Sequence, residues 1–174
     1  MATITLDGRA RVLGDDINTD YIIASTRKRD TLDEQVLKKY LLETVDPAFA
    51  ASVKAGDIIV AGSNFGCGSA MEIAVTVILA AGINAVLARS FSRTFYRNAV
   101  NNGLLAIECD TSGIAEGDVL AVSGSDDGVV VTDRSRGVSI VAQPLPAMMR
   151  EILAAGGLVE YVRAGHWSAS RPSA

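Results

Sequence analysis

The chain is poor in cysteine, histidine and aromatic residues, and each scarcity closes off a class of function. Two cysteines, Cys67 and Cys109, in 174 residues are too few for the disulfide framework of a secreted domain. They are also too few to hold an iron–sulfur cluster, which takes three or four thiolates. The one histidine, His166, lies near the C-terminal end, so no Cys–His pair is evident. No N-terminal stretch joins basic residues to an apolar run of signal-peptide length. The longest apolar segment, 73–83, falls short of the roughly 20 residues that a membrane span needs. Positive charge is in deficit too. A formal net charge of −4 excludes the basic stripe of a dedicated nucleic-acid binder, while a few local arginines still serve an anionic ligand. The expectation is a cytoplasmic protein with no nucleic acid and no membrane among its partners.

What is present is small and apolar. Apolar residues make up 49% of the chain, which also carries 16 glycines, a composition suited to an α/β domain with close helix–sheet contacts. One domain over 1–165 is expected, with 166–174 as a flexible tail. Residues 2–6 read as a strand, and 10–13 as its hairpin partner across Asp7-Gly8. Apolar positions at helical spacing mark 33–42. Residues 57–108 alternate strand, loop, helix, strand, helix and strand, the pattern of a right-handed parallel crossover. Short β runs at 119–122, 129–132 and 138–141, divided by Gly, Ser and Asp, predict an antiparallel meander. A last helix follows Pro146.

The densest signal is residues 62–72, GSNFGCGSAME. Glycines at 62, 66 and 68 let the backbone turn sharply and approach a ligand. With a helix read from about Ser69 to Ala81, Ser69 falls at its N-cap and the free amides of the first turn form an anion site. A carboxylate or a phosphate satisfies such a site equally. Neither a Walker A loop nor a dinucleotide fingerprint fits these glycine spacings. Cys67 reads as a packing residue, because no base accompanies it.

Three segments in this order resemble a known family: 14–23 (GDDINTDYII), 61–74 (AGSNFGCGSAMEIA) and 85–104 (AVLARSFSRTFYRNAVNNGL), with 150–161 (REILAAGGLVEY) in support. They are similar to the small-subunit family of isopropylmalate isomerase and to the matching C-terminal domain of aconitase, both of the aconitase superfamily. The resemblance implies a swivelling β/β/α domain with a mixed sheet, flanking helices and additional strands. It also implies a large-subunit partner carrying a [4Fe–4S] cluster, with no cofactor and no metal bound by this chain, and a hydroxy-acid substrate that is dehydrated and rehydrated. In the family, the first serine of a G-S-S-R motif removes the proton alpha to a carboxylate. That position is Ser69, which needs an electropositive, water-poor setting to act as a base.

Two departures stand out. The family's second serine is Ala70 here, and its arginine, which helps to hold a substrate carboxylate, is Met71. A thioether cannot replace a bidentate guanidinium. Substrate contact is therefore expected of Gly68, Ala70, Met71 and the basic run 25–30 (STRKRD), which occupies the place of the family's specificity loop. Arg29 aligns with that loop's arginine, and Arg27 accompanies it. Asp20, Asn18 and Thr19 are expected to brace the site loop, together with Asn64, Gly66, Cys67 and Glu72. Arg93 and Arg97, four apart on one helix face, are expected in structural or interface ion pairs, with Glu72 as a candidate partner. The function implied is the small subunit of a [4Fe–4S]-dependent hydro-lyase on a 2-hydroxy dicarboxylic acid, inactive alone, of the 3-isopropylmalate dehydratase type. The alternatives are a 2,3-dimethylmalate or maleate/citraconate hydratase, a homoaconitase, or a non-catalytic binding domain of the same fold.

Overall fold

The computed structural model describes residues 4–125 and 127–166, so the readings made for residues 2, 3 and 167–174 lie outside the described residues. Its centre is a strand that the sequence reading divides in two. Strand β1, Ile4–Val12, runs without a turn. Its first half pairs antiparallel with β5, Val119–Ser125, from Ile4↔Gly124 to Arg9↔Val119. Its second half pairs parallel with β2, Ile58–Ala61, from Ala10↔Ile58 to Val12↔Val60. The expected hairpin across Asp7-Gly8 is therefore corrected. Gly8 serves close approach, not a turn: a Cβ there would stand 2.0 Å from the Gly56 carbonyl oxygen, so only glycine lets β1 cross from one half-sheet to the other.

The remaining strands are β3 (Ala85–Ala88), β4 (Leu105–Glu108), β6 (Gly128–Asp133) and β7 (Val138–Ala142). They complete a seven-stranded sheet in the order β4-β3-β2-β1-β5-β6-β7. The β2-β3-β4 half is parallel and the β5-β6-β7 half antiparallel, as the crossover and meander patterns predict. Strands β2 and β3 are buried on both faces, which accounts for their unbroken apolar sequence. One face, through Ile59, Ala61, Val86 and Ala88, packs against the helices. The other, through Ile58, Val60, Ala85 and Leu87, shares a core with Leu120, Val122, Val129 and Val131 of the antiparallel half. The mixed sheet thus curls over itself, with its helices on the outside of the parallel half.

Two short helices precede the crossover: α1, Thr19–Ile22, and α2, Glu34–Leu37. The predicted 33–42 helix is interrupted, since α2 tightens into a 3-10 turn over Lys38–Tyr40. Leu42 then takes φ 57, and this break lets Leu37, Leu41 and Leu42 all enter the core. A further single turn is α3, Phe49–Ser52. The crossover helices are α4, Ile73–Ala80, and α5, Arg93–Asn101. Helix α5 begins with its Ser92 side chain accepting from the Phe95 amide at 3.2 Å, an N-cap read directly from Ser-Arg-Thr-Phe. Helices α6, Ala147–Ala154, and α7, Leu158–Arg163, close the chain, and His166 stacks on Tyr161 with ring centroids 4.8 Å apart.

Away from the glycine loop, β1 and β2 are clasped by buried charge. Asp57, just before β2, binds Arg9 at 2.9 Å and Arg11 at 3.5 Å, and Arg11 also binds Glu116 at 2.9 Å. Burial works to raise the Asp57 carboxyl, but the Arg9 guanidinium, the Lys54 amide and Arg11 together hold it below the usual carboxylate range. A depressed folded-state pKa stabilises the fold above the unfolded value near 4, and that support fades as pH falls through the folded value. Asp57→Ala leaves Arg11 buried without this carboxylate. We expect it to cost about 3 kcal/mol in urea unfolding at pH 7 and to flatten the stability loss of the wild type below pH 4; an unchanged unfolding midpoint would contradict the clasp.

Candidate functional site

The C-terminal ends of β1 and β2 run on into two loops that stay laced together after the strands end. Gly62 donates to the Gly14 carbonyl at 3.1 Å, Asp16 to Ser63 at 2.9 Å, Gly66 to Ile17 at 2.8 Å and Thr19 to Cys67 at 2.8 Å. Side chains extend the lacing. Asp15 accepts from the Ser63 amide at 2.6 Å, Asn64 Nδ2 donates to Asp16 at 2.8 Å, and the buried Thr19 Oγ1 donates to the Ser69 carbonyl at 3.0 Å. The Asp15 carboxyl is held below its usual range by the Ser63 amide and then by Arg89, its ion-pair partner at 2.5 Å. On the opposite side, Phe65 donates to Ser90 at 3.0 Å, and Ser92 Oγ donates to the Gly66 carbonyl at 2.7 Å.

Between these supports the glycine loop has little freedom. Gly66 takes φ 75 with the Phe95 ring where a side chain would go, at 2.2 Å from an added Cβ. Gly68 takes φ 93 with the Asn18 side chain in the same relation, at 2.5 Å. Both are left-handed conformations that glycine adopts without penalty. The segment beyond Gly68 is therefore lifted away from the core, and Gly68, Ser69 and Ala70 are exposed. Among the described residues, the Ser69 hydroxyl and the amides of Gly68, Ser69, Ala70 and Met71 have no hydrogen-bond partner. An open hydroxyl amid consecutive open amides is a surface that an anion can occupy.

Helix α4 starts later than the sequence reading has it. Its N-cap is Glu72, not Ser69. The hold of Thr19 on the Ser69 carbonyl and the turn at Gly68 keep this stretch out of the helix, so the first helical bonds run from Ala74 to Met71 and from Val75 to Glu72. Glu72 makes no ion pair among the described residues, and the intrachain ion pairs expected of Arg93 and Arg97 are not formed. Both arginines stand on a groove of about 590 Å³ floored by Tyr96, Val100, Met149 and Ile152.

The other expected residues separate. Thr19 braces the loop directly, whereas Asn18 caps α1 by accepting from the Asp20 amide at 2.9 Å and packs against Gly68. The Asp20 carboxylate accepts from the Ser25 hydroxyl, so it steadies the basic turn and not the glycine loop. In that turn, Arg27–Arg29, Arg27 holds Glu43 through two bonds of 2.8 and 2.9 Å and lies 3.9 Å over the Tyr40 ring. Its guanidinium is engaged by Glu43 and Tyr40 while staying exposed. Arg29 is exposed and unpaired among the described residues. Lys28, within the basic run that the sequence reading assigns to substrate contact, reaches the sulfur of Met71. Asp15, Ser90 and Ser92 are further supports that went unnoticed as site residues, although Ser92 is legible as an N-cap. Cys67 contributes its carbonyl. The Cys109 thiol, pushed up to about 11 by burial and by Asp110, is no nucleophile at neutral pH. No group of three or more His, Cys, Asp or Glu that could hold a metal exists among the described residues. No helix among them is long and apolar enough to cross a membrane.

Residues 14–112 match the model of the aconitase C-terminal domain. The methanogen homoaconitase small subunit of Methanocaldococcus jannaschii is 44% identical over 158 residues, covering 91% of each chain. The 3-isopropylmalate dehydratase small subunit of Halothermothrix orenii is 43% identical over 162 residues, covering 92% of this chain and 96% of the relative. A crystal structure of 3-isopropylmalate dehydratase from Methanocaldococcus jannaschii superposes with a TM-score of 0.88 at 41% identity, over 96% of this chain and 98% of the other.

The lacing makes a prediction independent of any activity. Thr19→Val keeps the shape and removes the bond to Ser69. It should cost about 1 kcal/mol of stability in urea and speed amide hydrogen exchange at the paired amides of Gly66, Ala74 and Val75 that flank the open ones. Unaltered exchange there would show that Thr19 does not hold the loop.

Proposed function

This chain belongs to the aconitase C-terminal domain family, and from that premise we propose that it is the cytoplasmic small subunit of a heteromeric hydro-lyase of the 3-isopropylmalate dehydratase kind. Its substrate is a 2-hydroxy dicarboxylic acid, and Ser69 is the base. The observation that carries the reading is the Ser69 hydroxyl itself, exposed and unpartnered on a loop that is fastened up to Cys67 and again at the Ser69 carbonyl.

The chemistry asked of this chain is removal of a proton from the carbon beside a carboxylate. A serine hydroxyl does this only where its alkoxide is favoured over water. The open amides of 68–71 supply donors aimed at negative charge, and rigid donors cost no reorganisation as charge develops. Water must be excluded by a surface laid over the loop, because the loop is exposed on this chain. That surface is assigned to a large subunit, with Arg93 and Arg97 reserved for its carboxylates. A [4Fe–4S] cluster on the large subunit would supply the Lewis acid for the leaving hydroxyl. Asn18, Thr19, Asn64, Gly66 and Cys67 hold the loop; Gly68, Ala70, Met71 and Arg29 line the place where substrate would lie.

A second reading, a homoaconitase-type pair, draws support from the relative of that name at 44% identity and from the cations of the 27–29 turn. The test is reconstitution under anaerobic conditions with a cluster-loaded large subunit and a panel of 3-isopropylmalate, citraconate, maleate, dimethylmaleate and homocitrate. The pair should dehydrate or hydrate one of these while this chain alone does not. Ser69→Ala should lower kcat by a factor of about 100 to 10,000 with the subunits still associated. Turnover by the Ser69→Ala pair near the wild-type rate would remove Ser69 from the base role, and association without any turnover would favour a non-catalytic domain.

A further inference from the structure

The two edges of the sheet are finished differently. At one edge, β4 has three of its four side chains buried and ends on Glu108, whose carboxylate accepts from the Phe91 amide at 3.2 Å. At the other edge, β7 has β6 on one side and, among the described residues, no strand on the other. Natural edge strands are commonly blunted by a charge, a proline or a bulge. Residues 138–142, VSIVA, carry no charge and no proline. Their ladder runs from Asp133↔Val138 to Val129↔Ala142 without a bulge. Val138 and Val141 are 52% and 78% exposed. Ile140, on the opposite face from Val141, is only partly buried where it packs against the core.

We propose that β7 is an interface between two copies of this chain, paired antiparallel about a two-fold axis at Ile140. That register overlaps the entire strand: Ile140 meets its own counterpart, Val138 meets Ala142, and Ser139 meets Val141. Residues directly opposite across an antiparallel pair share a face, so each half-covered Ile140 is closed by the other copy and the two cores join. Charge favours the antiparallel sense. The turn entering β7 carries Arg134 and Arg136, each bound to a carboxylate of its own chain yet about half exposed. Exposed Asp127 precedes β6 beside the other end of β7. Antiparallel pairing brings the cationic end of each strand towards the acidic end of its mate, whereas parallel pairing sets arginine against arginine. The contact is isologous and closes at two copies. A five-residue pairing is small beside the roughly 1,200 Å² of a stable interface, so a Kd of about 1 to 100 μM is expected. Among the described residues, none of β7 holds the glycine loop. The pairing is therefore independent of the hydro-lyase reading, and a heteromer built on it holds two copies of this chain.

The test is sedimentation velocity of the full chain across that concentration range, alone and with the large subunit. The wild type should pass from monomer to dimer. Ser139→Lys combined with Val141→Lys, both at exposed positions, sets like charges directly opposite at two places and should raise Kd at least about tenfold. Ser139→Glu combined with Val141→Lys sets opposite charges at the same places and should bring Kd back to within a few-fold of wild type. Matching circular dichroism confirms that both variants are folded. A wild type that stays monomeric, or a dimer that responds alike to the two double variants, would overturn the assignment. A wild-type monomer that loses the large subunit in the double-lysine variant would also overturn it, giving the edge to the large subunit. Each of these results leaves Ser69 and the hydro-lyase reading untouched.

Discussion

The lacing between residues 14–19 and 62–69 is the constraint on which the rest depends. It prolongs the β1–β2 ladder beyond the point where either chain is regular strand, and the Asn18↔Cys67 bridge marks its far end. Backbone groups that would otherwise be orphaned in a loop are paired here. That is why a segment with glycines at 62, 66 and 68 is rigid and not mobile. Serine at 69 is presented because everything before it is held: Asn18 beneath Gly68, Phe95 beneath Gly66, Thr19 on the Ser69 carbonyl.

Charge is distributed to match. The strongly paired, buried charges, Arg11 and Asp57 with Arg9, clasp β1 to β2 and serve the fold. Around the glycine loop the charges are either spent on bracing, as with Arg89 and Asp15 or Arg27 and Glu43, or left open, as with Lys28 and Arg29. Open amides and an open hydroxyl on one loop are costly to bury without a ligand. On a surface that another subunit covers, the same groups become binding energy for an anion. The proposed function reads these groups as one wall of a site.

Much of this was legible in the sequence. Apolar runs between glycines located β2, β3 and β4, and the three segments at 14–23, 61–74 and 85–104 identified the family before any coordinates. What stayed hidden was of two kinds. Gly8 reads as a turn residue because the sequence cannot display the Gly56 carbonyl that approaches it. The helix after the glycine loop reads as starting at Ser69 because serine is a favoured N-cap, and only the long-range bond from Thr19 defers its start to Ile73. The contact of Lys28 with Met71 is hidden for the same reason: it accompanies the fastening of the 27–29 turn by Glu43 and Tyr40. Local preference was readable; contacts across the fold were not.

The central claim is that this chain contributes the group that takes the proton. It is tested most directly by following exchange of the carbon-bound substrate hydrogen with deuterated solvent in the reconstituted pair, at saturating substrate, for wild type and Ser69→Ala. The account predicts that exchange accompanies turnover in the wild type and falls at least a hundredfold in the variant while substrate still binds. Exchange in Ser69→Ala at the wild-type rate would place the base elsewhere.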